Sequence, residues 1–199
     1  MKSGVSRALL CAAFLLPSFG QAQESTARPE SAQFNYTYVQ VSYDETDFDV
    51  GPLSLDGDGL TLSGSFELTD EWHIYTSYSQ IDLDPGNADV DTWAIGAGYV
   101  FPLKDGIDLY GRVLYIDQNA DAGAASIDDD GLAVQGRIRA RITDEFELEG
   151  GIQYVDVSDS DISLQASARY NFTEQFSAGI GISFAGDTDG IGINARYSF

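Results

Sequence analysis

The residues most able to do chemistry are charged side chains that occupy alternate positions in two neighbouring segments. They are Arg137, Arg139 and Arg141 in the first segment, and Glu147 and Glu149 in the second. A three-residue turn at 143–145 would place Arg139 opposite Glu149 and Arg141 opposite Glu147, as direct cross-strand pairs. This spacing predicts ion pairs that tie two strands together. It does not predict a nucleophile or a proton relay.

The single histidine, His73, is the side chain best suited to acid–base catalysis near neutral pH. It follows a predicted tight turn at 69–71 and would face Glu67 across the hairpin. A serine–histidine–acid arrangement needs its three members at one end of the molecule, and the opposite end has no histidine. The glycines are spread along the chain and form no phosphate-binding loop. We therefore expect no enzyme activity, no catalytic residue and no cofactor.

Acidic residues form the other candidate chemistry. The segments 44–58, 83–90, 118–130, 157–161 and 185–190, with adjoining positions, hold 20 of the 32 acids and no lysine or arginine. Carboxylates are ligands for Ca²⁺ or Mg²⁺, and two Asp-rich turns resemble ion loops without matching the twelve-residue EF-hand pattern. The weak metal candidates are Asp56, Asp58, Asp128, Asp129, Asp130, Asp187 and Asp189. Looser bridging, in which such a cation links these carboxylates to phosphate groups outside the protein, requires less exact geometry.

Charge and the N-terminus restrict the class of protein. The formal net charge is −22, which excludes nucleic-acid binding because phosphate contacts need a basic surface. Lys2 and Arg7 precede an apolar run, and Gly20-Gln21-Ala22 supplies small residues for cleavage, so residues 1–22 are a predicted signal peptide. Residues 23–33 are a predicted flexible leader, and 34–199 the folded domain. The one cysteine lies in the signal, so the mature chain has no disulfide.

Ten segments with period-two alternation of apolar and polar residues predict β-strands. The predicted strands are 34–43, 59–68, 72–82, 91–101, 107–117, 131–142, 146–156, 162–172, 176–184 and 191–199. Tight turns such as Thr69-Asp-Glu71, Thr143-Asp-Glu145 and Thr173-Glu-Gln175 alternate with the longer acidic connections. This arrangement is typical of an up-and-down barrel whose short turns all lie at one end. Ten strands are expected, with eight as the alternative if 157–161 is misread.

The contents of the two strand faces indicate a membrane barrel. Apolar residues alternate with charged ones, and aromatic residues on the apolar face recur eight positions apart, as in Trp93 and Phe101 or Phe176 and Phe184. Eight residues of tilted strand span roughly 20 Å, near the ~25 Å apolar band of outer-membrane barrels. The predicted fold is therefore an all-β, transmembrane, antiparallel barrel with its polar face inward.

Charges inside a narrow barrel must pair, because an isolated buried charge is costly. We expect an interior network near the tight-turn end that fills the lumen. Its predicted members are Glu67, His73, Asp108, Arg112, Arg137, Arg139, Arg141, Glu147, Glu149, Arg169 and Arg196.

The chain resembles the small outer-membrane β-barrel domain family of Gram-negative bacteria. The resemblance rests on the stretches 62–75 and 93–99, which are similar to a subgroup of short-looped barrels, and on the closing strand Ile191–Phe199 with its terminal aromatic residue. It implies export by a cleaved signal peptide to the cell outer membrane. It also implies contact with outer-membrane lipid and lipopolysaccharide, and with the barrel-assembly machinery through the strand ending in Phe199. We expect a monomer.

The expected function is a structural or surface-interaction role, with the lumen plugged by Arg/Glu pairs and acidic loops outside the cell. The alternative is a narrow pore for small solutes or ions. A third possibility is a soluble secreted barrel that binds an apolar ligand.

Overall fold

The computed structural model describes residues 34–50, 53–84, 88–121, 126–157, 159–186 and 188–199, which form a closed barrel. The strands are β1 Tyr38–Val50, β2 Leu53–Glu67, β3 Trp72–Asp84, β4 Ala88–Lys104, β5 Ile107–Asp121, β6 Ser126–Arg141, β7 Phe146–Val157, β8 Asp159–Asn171, β9 Phe176–Ala185 and β10 Thr188–Ser198. The ten-strand prediction is confirmed, and the eight-strand alternative is excluded. The predicted signal peptide 1–22 and leader 23–33 lie outside the described residues.

Each strand pairs antiparallel with its neighbours in sequence, and β1 pairs with β10 to close the barrel. The closing register joins Tyr38 to Ser198 and Thr46 to Gly190. Closure leaves no unpaired strand edge, which is the requirement for a sheet surrounded by lipid. Within the described part of the chain, no helix is long and apolar enough to cross a membrane.

Three of the tight turns share one hydrogen-bonding plan, which explains the repeated Thr-acid motif. The Thr69 Oγ1 accepts hydrogen bonds from the backbone N–H groups of Glu71 (3.3 Å) and Trp72 (3.1 Å). Thr143 and Thr173 accept the equivalent bonds in their own turns. The threonine side chain thus replaces backbone partners that the turn lacks. We call this end of the barrel the turn end and the opposite end the outer end.

The strands extend further at the outer end than predicted. The segments predicted as long acidic loops are mostly paired strand, because β1 extends to Val50, β2 begins at Leu53 and β6 begins at Ser126. The prediction of long loops is therefore wrong. Aspartate and glycine are poor strand formers in isolation, so their abundance indicated loops. Here the neighbouring strands supply the backbone partners and override that preference.

The first strand also differs from the prediction, because β1 begins at Tyr38 rather than at residue 34. Residues 34–37 precede it as a short segment at the turn end, with Phe34 and Tyr36 buried in the lumen. The Thr37 Oγ1 accepts a hydrogen bond from the Glu67 N–H (3.1 Å).

The apolar face of the strands points outward, as predicted. Leu62, Ile95 and Val113 are 61%, 61% and 57% exposed on the outside of the barrel, and the aromatic residues Trp93 and Phe101 are also exposed. The inner face carries the polar and charged residues, including Arg112 and Arg196, each 1% exposed. Over most of the height of the barrel, this arrangement of an apolar exterior and a polar interior is the opposite of that in a water-soluble barrel.

Candidate functional site

The arginines and glutamates of β6 and β7 meet inside the barrel. Arg139 is the Cα partner of Glu149 and Arg141 that of Glu147, so the predicted register is confirmed. The ion pairs themselves are diagonal. Arg137 Nη1 contacts Glu149 Oε1 at 2.9 Å, and Arg139 Nε contacts Glu147 Oε2 at 2.9 Å. Long side chains lean along the strand, so each arginine meets the glutamate two residues away from its own Cα partner.

His73 is enclosed in a polar and aromatic setting rather than paired with a carboxylate alone. Glu67 is its Cα partner, as predicted. The Arg112 Nε donates a hydrogen bond to His73 Nε2 (2.9 Å), and the Tyr36 ring stacks on the imidazole at 4.9 Å. An imidazole nitrogen that accepts a hydrogen bond carries no proton. His73 is therefore a buried acceptor for Arg112.

Gln40, which no sequence pattern singled out, joins the last strands to the first. The Gln40 Oε1 accepts a hydrogen bond from Arg196 Nε (3.0 Å) and one from Arg169 Nη2 (3.4 Å). The Arg196 guanidinium also lies over the Tyr38 ring, with Cζ 4.0 Å from its centroid. The polar inner face of β1 was the available signal, but composition could not show that two arginines share one amide oxygen.

The turn end of the lumen is filled by aromatic residues. Phe34, Tyr36, Val100 and Tyr110 form a buried cluster, which we call the aromatic plug. The Arg139 and Arg141 guanidinia lie over the Phe34 ring at 4.3 Å and 5.0 Å. Such cation–π contacts stabilise arginines that are removed from water.

The remaining predicted network members lie beside this plug. The Tyr36 hydroxyl donates a hydrogen bond to Asp108 (3.3 Å), and the Tyr110 hydroxyl donates one to Glu149 (2.8 Å). Asp108 is buried, and Glu67 and Arg141 are half-buried at this end. The structure therefore places all eleven predicted residues in the half of the barrel nearest the turn end. Tyr36, Gln40 and Tyr110 join the same network of contacts.

Apolar side chains face the lumen at its outer end. The cluster furthest from the turn end, which we call the apolar cap, comprises Ile81, Leu83, Ala88, Val90, Ala120 and Ala185, with Leu55 packed against it. A second cluster below it includes Leu114, Ile116 and Val155. The inward face is thus apolar here, whereas it is polar near the turn end.

The outward face changes in the opposite sense. On β3 the outward residues change from Trp72 and Ile74 to Gln80, Asp82 and Asp84. The outward face thus changes from apolar to acidic, as expected where the surroundings of a membrane barrel change from lipid to water. The alternation in residues 80–84 carries this signal, although the predicted strand ends at residue 82 and the predicted loop begins at 83.

Five exposed carboxylates line up across the outer ends of β1 to β5. Glu45 pairs with Asp58, Asp58 with Asp82, Asp82 with Asp89, and Asp89 with Asp121, each as direct Cα partners. We call this the acidic row. A hydrogen bond with Asp89 raises the pKa of Asp82, and the Asp58 and Asp91 charges act in the same direction.

The predicted metal candidates are dispersed around this rim. Asp56 pairs with Asp47 and Asp84, Asp189 pairs with Asp47, and Asp128 accepts a hydrogen bond from Asn119. Asp58 belongs to the acidic row, Asp129 and Asp130 follow Asp128 on β6, and Asp187 lies outside the described residues. Among the described residues, no group of three or more acidic, histidine or cysteine side chains is arranged to hold a metal ion.

A family model described as the outer membrane protein beta-barrel domain matches residues 9–199. The comparison with curated proteins finds no match.

Solved structures with a similar barrel include the beta domain of the Bordetella autotransporter BrkA, at 9% identity and a TM-score of 0.52. This match covers 81% of this chain and 98% of that one. Neisserial surface protein A is 14% identical over 81% of this chain and 96% of its own, with a TM-score of 0.48. The KdgM porin in complex with disordered oligogalacturonate is 10% identical over 81% and 99%, with a TM-score of 0.49. At these identities the similarity concerns the fold.

Proposed function

The chain belongs to the outer membrane protein beta-barrel domain family, and from this we propose that it is a closed structural barrel whose acidic outer rim is an interaction surface. The single observation that carries the proposal is the reversal of both faces along the strands. Below the reversal the exterior is apolar and the lumen polar. Above it the exterior is acidic and the lumen apolar.

A closed lumen is supported by three successive fillings. The aromatic plug occupies the turn end, the Arg/Glu pairs occupy the middle, and the apolar cap occupies the outer end. Water and ions cross a barrel through continuous polar space, and a cap of Ile81, Leu83 and Val90 interrupts it. Small barrels of eight strands have room only for side chains, while wide channels need about sixteen. Ten strands lie near the closed limit.

An interaction surface is supported by the acidic row. Carboxylates that face each other across strands repel one another, so the row costs stability unless a cation or a basic group lies against it. It stands just beyond the outward aromatic Trp93, the level expected of lipid phosphates. We propose that Mg²⁺ or Ca²⁺ bridges the row to phosphates of lipopolysaccharide, without a dedicated metal cage.

The bridging can be tested with the barrel in lipid nanodiscs and immobilised lipopolysaccharide. We expect Mg²⁺-dependent binding that EDTA abolishes and that is lost when the row is neutralised by Glu45→Gln with Asp58→Asn, Asp82→Asn, Asp89→Asn and Asp121→Asn. A matched control neutralises five acids at the turn end: Asp70, Glu71, Asp105, Asp144 and Glu145. Equal binding by the two variants would reject the row as the surface.

The closed lumen can be tested by planar-bilayer recording. We expect no steady conductance from the native barrel. A variant with Leu83→Ser and Val90→Ser, which makes the apolar cap polar, should show openings if the cap is the barrier. Stable single-channel steps from the native protein would overturn the closed barrel and support the alternative, a narrow pore, which the charged middle of the lumen favours.

Two further parts of the proposal concern assembly and catalysis. Phe199 is 68% exposed next to the turn end, and its N–H donates a hydrogen bond to the Thr37 carbonyl (3.1 Å). This exposed terminal aromatic is the feature we propose for recognition by the barrel-assembly machinery. We propose no enzymatic role, because His73 is enclosed and its Nε2 is occupied by Arg112.

A further inference from the structure

The middle of the lumen contains more buried arginines than carboxylates. Five arginines are buried: Arg112, Arg137, Arg139, Arg169 and Arg196. Three buried carboxylates lie at their level: Asp108, Glu147 and Glu149. A fourth, Asp44, lies four residues beyond Gln40 on β1, about 13 Å away along the strand. Arg141 and Glu67 are half-buried at the turn end, and their opposite charges offset each other in this count.

Outside the Arg137–Glu149 and Arg139–Glu147 ion pairs, the arginines Arg112, Arg169 and Arg196 donate hydrogen bonds to neutral acceptors. Arg112 Nε donates to His73, and Arg196 Nε donates to Gln40. Both nitrogens Nη1 and Nη2 of Arg112, and Nη1 of Arg196, are buried without a hydrogen-bond acceptor. An unsatisfied buried donor costs free energy, and a charged one costs more.

Two tyrosines lie against these guanidinia. The Arg196 guanidinium stacks on the Tyr38 ring. Arg112 lies 4.2 Å from the Tyr75 ring, which packs in the same cluster as Tyr38. The Tyr38 hydroxyl is itself buried without a partner. Two guanidinia and a phenol hydroxyl therefore present hydrogen-bond donors in one buried region.

We infer that this region is a binding site for a small anion, held by Arg112, Arg196 and the Tyr38 hydroxyl. Arginine keeps its charge in proteins, so the excess cannot be relieved by loss of a proton. Water would satisfy the donors but would leave the charge uncompensated. An anion satisfies both, and guanidinium groups are the preferred partners of anions in buried sites. The site lies between the aromatic plug and the apolar clusters, so the anion is part of the filling of the barrel.

Bromide is a suitable probe because it scatters anomalously and is close to chloride in size. Crystals of the detergent-solubilised barrel grown in sodium bromide should show an anomalous peak within hydrogen-bond distance of Arg112, Arg196 and Tyr38. Absence of a peak there, or peaks confined to exposed basic groups such as Lys104, would overturn the inference. This measurement needs no variant to fold.

Thermal unfolding provides a second readout. Because the anion binds the folded barrel, the unfolding midpoint should rise with bromide relative to sodium gluconate at equal ionic strength. Tyr38→Phe removes one hydroxyl donor and should weaken the apparent affinity for bromide by about tenfold. Arg196→Gln should abolish the difference between the salts. The control Lys104→Gln removes one exposed positive charge and should leave the difference unchanged; a bromide effect that is the same in all four proteins would refute the site.

Discussion

At the residue scale, the chemistry of this barrel is charge compensation between buried side chains. Glu147 shows the principle, because it accepts hydrogen bonds from Arg139 and from Asn171 (3.1 Å) and is 5% exposed. Removing one partner of such a pair leaves the other charge buried alone, which costs more than the pair contributes. The inner face is therefore intolerant of single charge changes.

Substitution of Glu147 tests this directly. Glu147→Gln should lower the free energy of unfolding by about 3 kcal/mol, because Arg139 loses its buried counter-charge. Urea titration of the barrel refolded in lipid vesicles, followed by tryptophan fluorescence, measures the change. Glu145→Gln, in the exposed turn two residues earlier, should change stability by less than about 0.5 kcal/mol. If both variants lost a similar free energy of unfolding, the buried ion pair would not be a particular source of stability.

The acidic row predicts how the stability of the barrel depends on pH. The folded pKa of Asp82 is raised, so the folded barrel binds this proton more tightly than the unfolded chain does. Stability should therefore rise as pH falls through the raised pKa toward about 4, the ordinary value for aspartate. Asp82→Asn should raise the unfolding midpoint at neutral pH and flatten this dependence, whereas Asp144→Asn should not. If the unfolding midpoint of the native protein fell steadily as the pH was lowered from neutral, the prediction would be contradicted.

At the element scale, the outstanding feature is that one strand serves two environments. β3 has His73 and Tyr75 inward beside Trp72 and Ile74 outward, then Ile81 inward between Gln80 and Asp82 outward. The period of two is unbroken, so the strand continues, while its outward face changes from apolar to polar and its inward face becomes apolar. The strands are 10 to 17 residues long, and about 9–11 residues cross a bilayer. The longer ones therefore continue as a wall beyond the membrane.

Close strand contact at glycines gives a prediction at this scale. A Cβ on Gly96 of β4 would lie 2.0 Å from the backbone oxygen of Val113 on β5, whereas a Cβ on Gly136 of β6 would meet nothing within 4 Å. Gly96→Ala should lower the free energy of unfolding by about 1–3 kcal/mol through overpacking. Gly136→Ala should be neutral or slightly stabilising. Urea midpoints for the two alanine variants provide the comparison, and equal midpoints would contradict the packing argument.

At the scale of the whole molecule, the outward apolar band determines how the protein behaves in solution. Exposed residues such as Leu62, Ile95 and Val113 occur around the barrel rather than in one patch. Soluble monomers rarely expose contiguous apolar surface beyond a few hundred Å². The surface therefore requires lipid or detergent, and the complete hydrogen-bonding of the closed sheet resists opening.

Electrophoresis and gel filtration test these two properties together. We expect unboiled and boiled samples in dodecyl sulfate to migrate differently, because the closed barrel resists unfolding until heated. We also expect aggregation when detergent is removed. A monodisperse protein in plain buffer would instead support a water-soluble barrel.

The sequence by itself predicted ten strands, with eight as the alternative, and determined the register of the Arg/Glu hairpin. These follow from local rules: alternation fixes which residues share a face, and a three-residue turn fixes which residues are opposite. The same rules placed Arg139, Glu147 and His73 inside. Each inference required only neighbours along the chain or across one turn.

The tertiary structure alone decided what fills the barrel. Whether Phe34 lies inside, which carboxylate Arg139 meets, and that Gln40 joins Arg169 to Arg196 depend on side chains from strands far apart in sequence. Closing the sheet brings them together, and no local pattern encodes those distances. The outer end shows the same limit, because the composition of 83–90 indicates a loop locally, whereas pairing with neighbouring strands extends β3 to Asp84 and begins β4 at Ala88.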